Sequence, residues 1–147
     1  MIAQTVILDD ARWTCRVMYE AGKDCINTVE SLLRQMGASS SVIDRARSIL
    51  SGPGNEGLTY SNGKERCSLV VITRTSDAAQ FADSYAHEIS HVIAHIAHTD
   101  GIDALGEDGQ YLYGELVHKT FRVARRFLCD CCRRKTNNNN KSNSNER

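Results

Sequence analysis

The sequence predicts an α+β domain that is mainly helical, with a small antiparallel sheet placed before a long central helix. Two observations predict this class. Two β-type runs flank an Asn62-Gly63 turn, and an apolar-rich stretch without proline or glycine follows over residues 78–97. About 135 ordered residues can bury one hydrophobic core but not two, so we expect a single domain at residues 1–135.

The first third of the chain carries apolar residues at helical spacing. Residues 5–8 form a short strand or lead directly into the following helix, which Asp9 or Asp10 would cap. We expect that helix to end at Gly37 and a shorter one to follow over about residues 41–50. The apolar positions behind the first of these helices are Val17, Met18, Cys25, Ile26, Val29, Leu32, Leu33 and Met36.

The remaining elements follow in order along the chain. Residues 51–57 form a glycine-rich loop, and residues 58–60 and 67–73 form a hairpin around the Asn-Gly turn. The central helix over 78–97 ends before Gly101, and a last helix runs over about 107–128. Residues 136–147 are rich in asparagine and serine, which predicts a disordered tail.

The central helix contains the motif His87-Glu88-Ile89-Ser90-His91, an H-E-x-x-H. Side chains four residues apart on a helix are about 5–6 Å from each other, so both imidazoles can bind one Zn²⁺ at roughly 2.0–2.1 Å. Glu88 then lies beside the open position of the ion, where it can accept a proton from acidified water. The motif predicts a zinc hydrolase with His87 and His91 as ligands and Glu88 as general base.

A third ligand is expected from outside this motif. His95 lies about 12 Å of helix rise beyond His87, too far for both to bind one ion, so we interpret His95 and His98 as exposed or cleft-lining. Glu107 and Asp108 occupy the first turn of the next helix, where the helix dipole favours acids in any case. One of them returning to the metal would complete a His-His-Glu site.

The order of these motifs resembles the small zincin-like metallopeptidases of tailed phages and of mobile elements in gut bacteria. It is also similar to that of the compact proteases that cleave phage repressors. The resemblance covers residues 69–117 and implies a minimal zincin-like fold of gluzincin type. If Tyr111, Leu112 and Gly114 are matched to the second motif of the metallopeptidases, the resemblance implies Glu107 as the third zinc ligand. The repressor-protease pattern implies Asp108 instead. The matching residues are the run 72–77, the H-E-x-x-H helix, Gly101-Ile102, and Glu107, Tyr111, Leu112 and Gly114.

The predicted reaction is hydrolysis of an amide bond in a protein or peptide substrate. Tyr111, Tyr113 or His118 would stabilise the oxyanion, and the spacing does not choose among them. One alternative is a non-catalytic virion or regulatory component that keeps the fold and the metal, although an intact Glu88 argues against it. The other is a DNA-associated protein that uses a basic segment over residues 122–135.

The charge balance and the apolar runs exclude some classes of protein. The formal net charge is zero, so the basic segment is local and nucleic-acid binding is not the favoured interpretation. No apolar run is long enough to span a membrane, and the first residues lack the basic region of a signal peptide. We therefore expect a cytoplasmic protein. The basic residues of the segment are Arg122, Arg125, Arg126, Arg133, Arg134 and Lys135.

Cysteine usage agrees with a reducing compartment. The six cysteines show no disulfide-scaffold spacing, so we expect ordinary free thiols. The run Cys129-Asp130-Cys131-Cys132 could hold a metal or a labile disulfide, but it lacks the paired C-x-x-C arms of common structural zinc sites.

Overall fold

The computed structural model describes residues 1–133, and they confirm the α+β class. A four-stranded sheet in the order β1-β2-β4-β3 forms the centre. Its strands are β1 (Ile2–Leu8), β2 (Trp13–Ala21), β3 (Gly57–Asn62) and β4 (Cys67–Thr73). The helices are α1 (Ile26–Gln35), α2 (Ser40–Ser51), α3 (Ala78–Asp100) and α4 (Glu107–Ala124), and one 3₁₀ turn (Lys23–Cys25) precedes α1.

The long amino-terminal helix is a wrong prediction, because its first half is strand β2. The chain turns back after β1 with Arg12 in the left-handed region, at a φ of 51°, and Asp9 and Asp10 lie in this turn instead of capping a helix. β2 is a central strand that is covered on both faces, so apolar side chains point to both sides. A strand of this kind carries apolar residues at positions that also fit a helical period.

The sheet is mixed, which corrects the prediction of a purely antiparallel sheet. β1 pairs antiparallel with β2, and β3 pairs antiparallel with β4 around the predicted Asn-Gly turn. β2 and β4 pair in parallel, with Thr14 opposite Cys67 and Met18 opposite Val71. Helices α1 and α2 lie in the long connection between these two strands, as a parallel pair requires.

A hydrophobic cluster packs on each face of the sheet, so the described residues bury two clusters on one shared sheet, which corrects the expectation of a single core. Alternate residues of β2, among them Trp13 and Tyr19, pack with α3 and α4 on one face. Met18 and Ala21 of β2 point to the opposite face and pack with α1 and α2. The sheet therefore separates two helical layers, and α3 belongs to the layer that also contains α4.

The other predicted elements form with shifted ends. The hairpin strands form, and α2 covers the predicted 41–50 region, whereas α4 ends four residues before the predicted residue 128. The predicted tail at 136–147 lies outside the described residues. Within the described part of the chain, none of the helices combines the length and the apolar composition that a bilayer crossing needs.

Helix α3 is fixed at both ends by its own sequence. The side chain of Asp77 accepts a hydrogen bond from the Gln80 backbone N–H at 2.8 Å, which caps the first turn. Gly101 ends the helix in the left-handed region with a φ of 68°, a conformation that glycine adopts without strain. The motif at residues 87–91 thus lies in the middle of a well-capped helix.

Candidate functional site

The two histidines of the motif converge on one point. His87 Nε2 and His91 Nε2 are 3.1 Å apart, and both rings lie at the exposed surface of α3. Two nitrogens that each bind one Zn²⁺ at about 2.05 Å are 3.1 Å apart when the N–Zn–N angle is about 100°, near the tetrahedral value. The pair therefore fits two corners of a tetrahedral zinc site.

Glu88 points away from solvent and is held by strand β3. Glu88 is only 5% exposed, and Thr59 donates a hydrogen bond to its Oε2 at 2.6 Å. The absence of a side chain at Gly57 permits this approach, since a Cβ there would lie 2.5 Å from both Cγ and Oε1 of Glu88. Thr59 thus fixes the carboxylate through Oε2, and the Thr59 hydroxyl does not bond to Oε1.

These groups share one cavity of about 590 Å³. Helix α3 contributes Asp83, His87, Glu88, His91 and His95 to its wall. The opposite walls come from β3 with the loop before it, and from α2, which contributes Val42, Arg45 and Ile49. The cavity therefore combines aliphatic side chains with a row of ionisable side chains, a typical composition for a small-molecule or peptide site.

His95 is tied to the core by a chain of hydrogen bonds. Trp13 Nε1 donates to Ser68 Oγ at 2.9 Å, Ser68 Oγ lies 2.7 Å from Ser61 Oγ, and Ser61 Oγ lies 2.8 Å from His95 Nδ1. An indole nitrogen can only donate, so Ser68 accepts from Trp13. The buried Ser68 hydroxyl then satisfies its own O–H by donating to Ser61. In this order Ser61 donates to His95 Nδ1, which requires the tautomer that carries its ring proton on Nε2.

This order of donors makes His95 a neutral donor in the cavity. Burial lowers the pKa of its imidazole, and the neighbouring imidazoles of His91 and His98 lower that pKa further. The lowered pKa favours the neutral ring, whose N–H is on Nε2 in this tautomer.

Neither acid at the start of α4 reaches the imidazole pair. Among residues 1–133, no third His, Cys, Asp or Glu has a ligand atom within 4.8 Å of both His87 Nε2 and His91 Nε2. Helix α4 is antiparallel to α3, because Tyr85 near the start of α3 is hydrogen-bonded to Thr120 near the end of α4. The first turn of α4 therefore lies towards the carboxyl end of α3, and α4 also packs on β1. Glu107 and Asp108 are exposed there and do not line the cavity, so we assign neither as a zinc ligand in this arrangement.

The three proposed oxyanion stabilisers also lie outside the cavity wall. Tyr111 is 74% exposed on α4, His118 is exposed on the same helix, and Tyr113 packs against the core. All three belong to the helix that packs against β1, away from β3. Among the residues that do line the cavity and that the sequence did not single out are Arg45, Glu56, Gly57, Thr59 and Asp83.

The cysteines near the end of α4 form a second group. The sulfur atoms of Cys129, Cys131 and Cys132 all lie within 4.8 Å of one another, and this group could bind a metal ion. The basic segment is partly used within the protein, since Arg133 donates to Thr75 and to the Asp77 carbonyl oxygen. Arg122, Arg125 and Arg126 are exposed, whereas Arg134 and Lys135 lie outside the described residues.

The chain was compared with protein families, with curated proteins and with solved structures. None of the three comparisons returns a match.

Proposed function

We propose that the chain is a zinc-dependent hydrolase that cleaves peptide bonds, with Zn²⁺ held by His87 and His91 and with Glu88 as general base. The observation that carries the proposal is the 3.1 Å approach of the two Nε2 atoms on the wall of a cavity that also contains the buried Glu88 carboxylate.

The residues of the chain divide the chemical work between them. When bound, Zn²⁺ would polarise the scissile carbonyl and lower the pKa of a water molecule towards neutrality. Glu88 accepts the proton of that water through Oε1, because Thr59 occupies Oε2. His95 donates its Nε2–H to the oxygen on which negative charge develops, and its neutral state suits this role at pH 7.

Glu56 is the best available source of a third protein ligand. It is the one carboxylate on the described cavity wall that does not belong to α3. Its side chain is exposed, and a Cβ at the next residue, Gly57, would lie 2.5 Å from Glu88, so Glu56 is next in the chain to the residue that packs on the general base. Asp83 is less suitable, because it lies eight residues before His91, about 12 Å of helix rise, so the two cannot bind one ion.

An extended peptide is the substrate class that the cavity favours. Strand β3 stands at the edge of the sheet and pairs only with β4 among the described strands. Residues 57–60 of this strand line the cavity, so their unpaired backbone groups can accept a substrate segment as a further strand.

The decisive experiment compares Glu88→Gln with Glu107→Gln on an unstructured protein substrate in the presence of zinc. Glu88→Gln keeps the hydrogen bond to Thr59 but cannot accept a proton, so cleavage should fall by about 10²–10⁴-fold. Glu107→Gln changes an exposed carboxylate outside the cavity and should leave the rate within twofold. Cleavage by the wild type that does not exceed the Glu88→Gln background would overturn the peptidase proposal and favour a non-catalytic component.

Metal analysis tests the ligands separately from turnover. His87→Ala and His91→Ala should each remove zinc from this centre, and Glu56→Ala should weaken zinc affinity more than Glu107→Ala does. His98→Ala is the matched control, because this histidine lies on α3 outside the cavity. Because Cys129, Cys131 and Cys132 could also bind a metal ion, these measurements use the Cys129→Ser background. Zinc retained there after His91→Ala would contradict the assignment of the centre. Equal zinc affinities of Glu56→Ala and Glu107→Ala would exclude Glu56 as a ligand.

A further inference from the structure

Three cysteines are gathered at the end of the described chain. A helical turn at residues 130–133 follows α4, and within it the backbone N–H groups of Cys132 and Arg133 both donate to the Cys129 carbonyl oxygen at 3.1 Å. This turn brings the thiols to one side. Cys131 Sγ and Cys132 Sγ are 3.9 Å apart, and all three sulfur atoms lie within 4.8 Å of one another.

These separations fit three thiolates on one small cation. Metal–sulfur bonds of about 2.3 Å put two sulfur atoms about 3.8 Å apart in a tetrahedral site and about 4.0 Å apart in a planar trigonal site. The Cys131–Cys132 pair already has this separation. The other separations in the group are below 4.8 Å, so a rotation of one side chain closes them.

The turn that carries the thiols is held in place by the start of α3. Asp130 accepts a hydrogen bond from the Ala78 backbone N–H at 3.0 Å. Arg133 is only 13% exposed and donates to the Thr75 hydroxyl at 2.8 Å and to the Asp77 carbonyl oxygen at 3.0 Å. A site whose backbone is fixed before binding loses less conformational freedom when the ion arrives.

The group is open to solvent. Cys131 and Cys132 are exposed residues, and Cys129 is partly buried. A cation can therefore reach the three thiols from solvent.

We propose that Cys129, Cys131 and Cys132 form a site for one thiophilic d¹⁰ cation, Zn²⁺ or Cu⁺, separate from the centre on α3. Binding forms three metal–sulfur bonds and releases the remaining S–H protons to solvent. Zn²⁺ takes a water molecule as its fourth ligand, since the described chain supplies only three ligands to this group, whereas Cu⁺ is satisfied by three. The soft sulfur set disfavours Mg²⁺ and Ca²⁺.

The test uses Cd²⁺ as a spectroscopic probe on the reduced full-length protein without oxygen. Thiolate ligation gives an ultraviolet charge-transfer band that imidazole or carboxylate ligation does not give, so the α3 centre does not interfere. The band should saturate at one equivalent per chain. Cys129→Ser should weaken binding at least tenfold and reduce the band, and Cys67→Ser, which changes a half-buried cysteine outside the group, should change neither.

Competition then identifies the ion. Displacement of Cd²⁺ by Zn²⁺ or by Cu⁺ at comparable concentration supports the site and names its occupant. The proposal is overturned by any of four results: no band at one equivalent, a full band in Cys129→Ser, saturation at half an equivalent, which would indicate bridging between two chains, or displacement by neither ion.

Discussion

Gly57 and Glu88 show how a single missing side chain shapes the candidate active site. A Cβ at position 57 would lie 2.5 Å from the Glu88 carboxylate, closer than real Cβ contacts. The neighbour that would have to move is a buried acid whose position is fixed by Thr59. A glycine at this position in β3 is therefore required by the packing of β3 on α3.

We predict that Gly57→Ala lowers the free energy of unfolding by about 1–3 kcal/mol and reduces peptide cleavage, because the overpacked carboxylate must leave its place. Gly114→Ala is the matched control. Nothing lies within 4 Å of a Cβ at position 114, and the residue is inside α4, so alanine should stabilise the protein by roughly 0.5–1 kcal/mol. Chemical denaturation measures both, and an equal change in the two variants would contradict the packing argument.

Cys129 should be the thiol that reacts first as the pH rises. Its pKa is lowered to about 7, whereas burial raises the pKa of Cys15 to about 12 and also raises the pKa of Cys67. Only the thiolate is nucleophilic, so alkylation of Cys129 should increase from pH 6 to pH 8 with a midpoint near 7. Peptide mapping after a short iodoacetamide pulse in the presence of a chelator measures this, and a midpoint near 9 would contradict the prediction.

The sequence could predict the local part of the site and not the remote part. His87, Glu88 and His91 are adjacent in a helical motif, so their relation follows from helix geometry. Thr59 is 29 residues away from Glu88, and Ser61 is 34 residues away from His95. Which strand residue meets which helix residue depends on the docking of β3 on α3, and no local pattern contains that information.

At the scale of elements, α3 and α4 are joined through a buried pair of hydroxyl groups. Thr120 donates to the Leu116 carbonyl oxygen at 2.7 Å, so the Tyr85 hydroxyl must be the donor in the bond between Tyr85 and Thr120. Tyr85 is 7% exposed and Thr120 is fully buried. This bond helps to set α4 in its observed position, with its first turn outside the cavity that His87 and His91 line.

We expect Thr120→Val to cost about 1–3 kcal/mol of unfolding free energy, because it leaves the buried Tyr85 hydroxyl without an acceptor. Tyr85→Phe combined with Thr120→Val removes both polar groups, so the double variant should lose less than the sum of the two single losses. Equilibrium denaturation of all four proteins gives the coupling energy. A coupling energy near zero would mean that the pair does not join the helices.

The prediction of a helix failed at β2, because both faces of this strand are buried. The alternation of Trp13, Cys15, Val17 and Tyr19 points to one face of the sheet, but Met18 fills the other face and breaks the pattern. Amphipathic helix α3 and the hairpin carried stronger signals, a long uninterrupted apolar stretch and an Asn-Gly turn, and both were predicted correctly. The third-ligand prediction depended on helix packing and not on either helix alone, and the structure places Glu107 and Asp108 outside the cavity wall.

For the whole molecule, zinc at the α3 centre should stabilise the native state. A ligand that binds only the folded protein at one hundred times its dissociation constant adds about 2.7 kcal/mol, or roughly 5–10 °C in the melting temperature of a domain of this size. Measured in the Cys129→Ser background, this increase should vanish in His91→Ala and persist in His98→Ala. An increase that survives His91→Ala would assign the effect to another site.

The close packing of Gly57 on Glu88 also has a consequence for recognising related chains. A larger residue at the strand position can coexist with the helix only if the acid is shortened or moved, so the two positions should change together. Thr59 should likewise change together with Glu88, and Ser61 together with His95, because each pair shares a hydrogen bond. A useful search pattern therefore pairs a Gly-x-Thr-x-Ser strand with an H-E-x-x-H-x-x-x-H helix, and it should separate true relatives from chains that carry the short helix motif by chance.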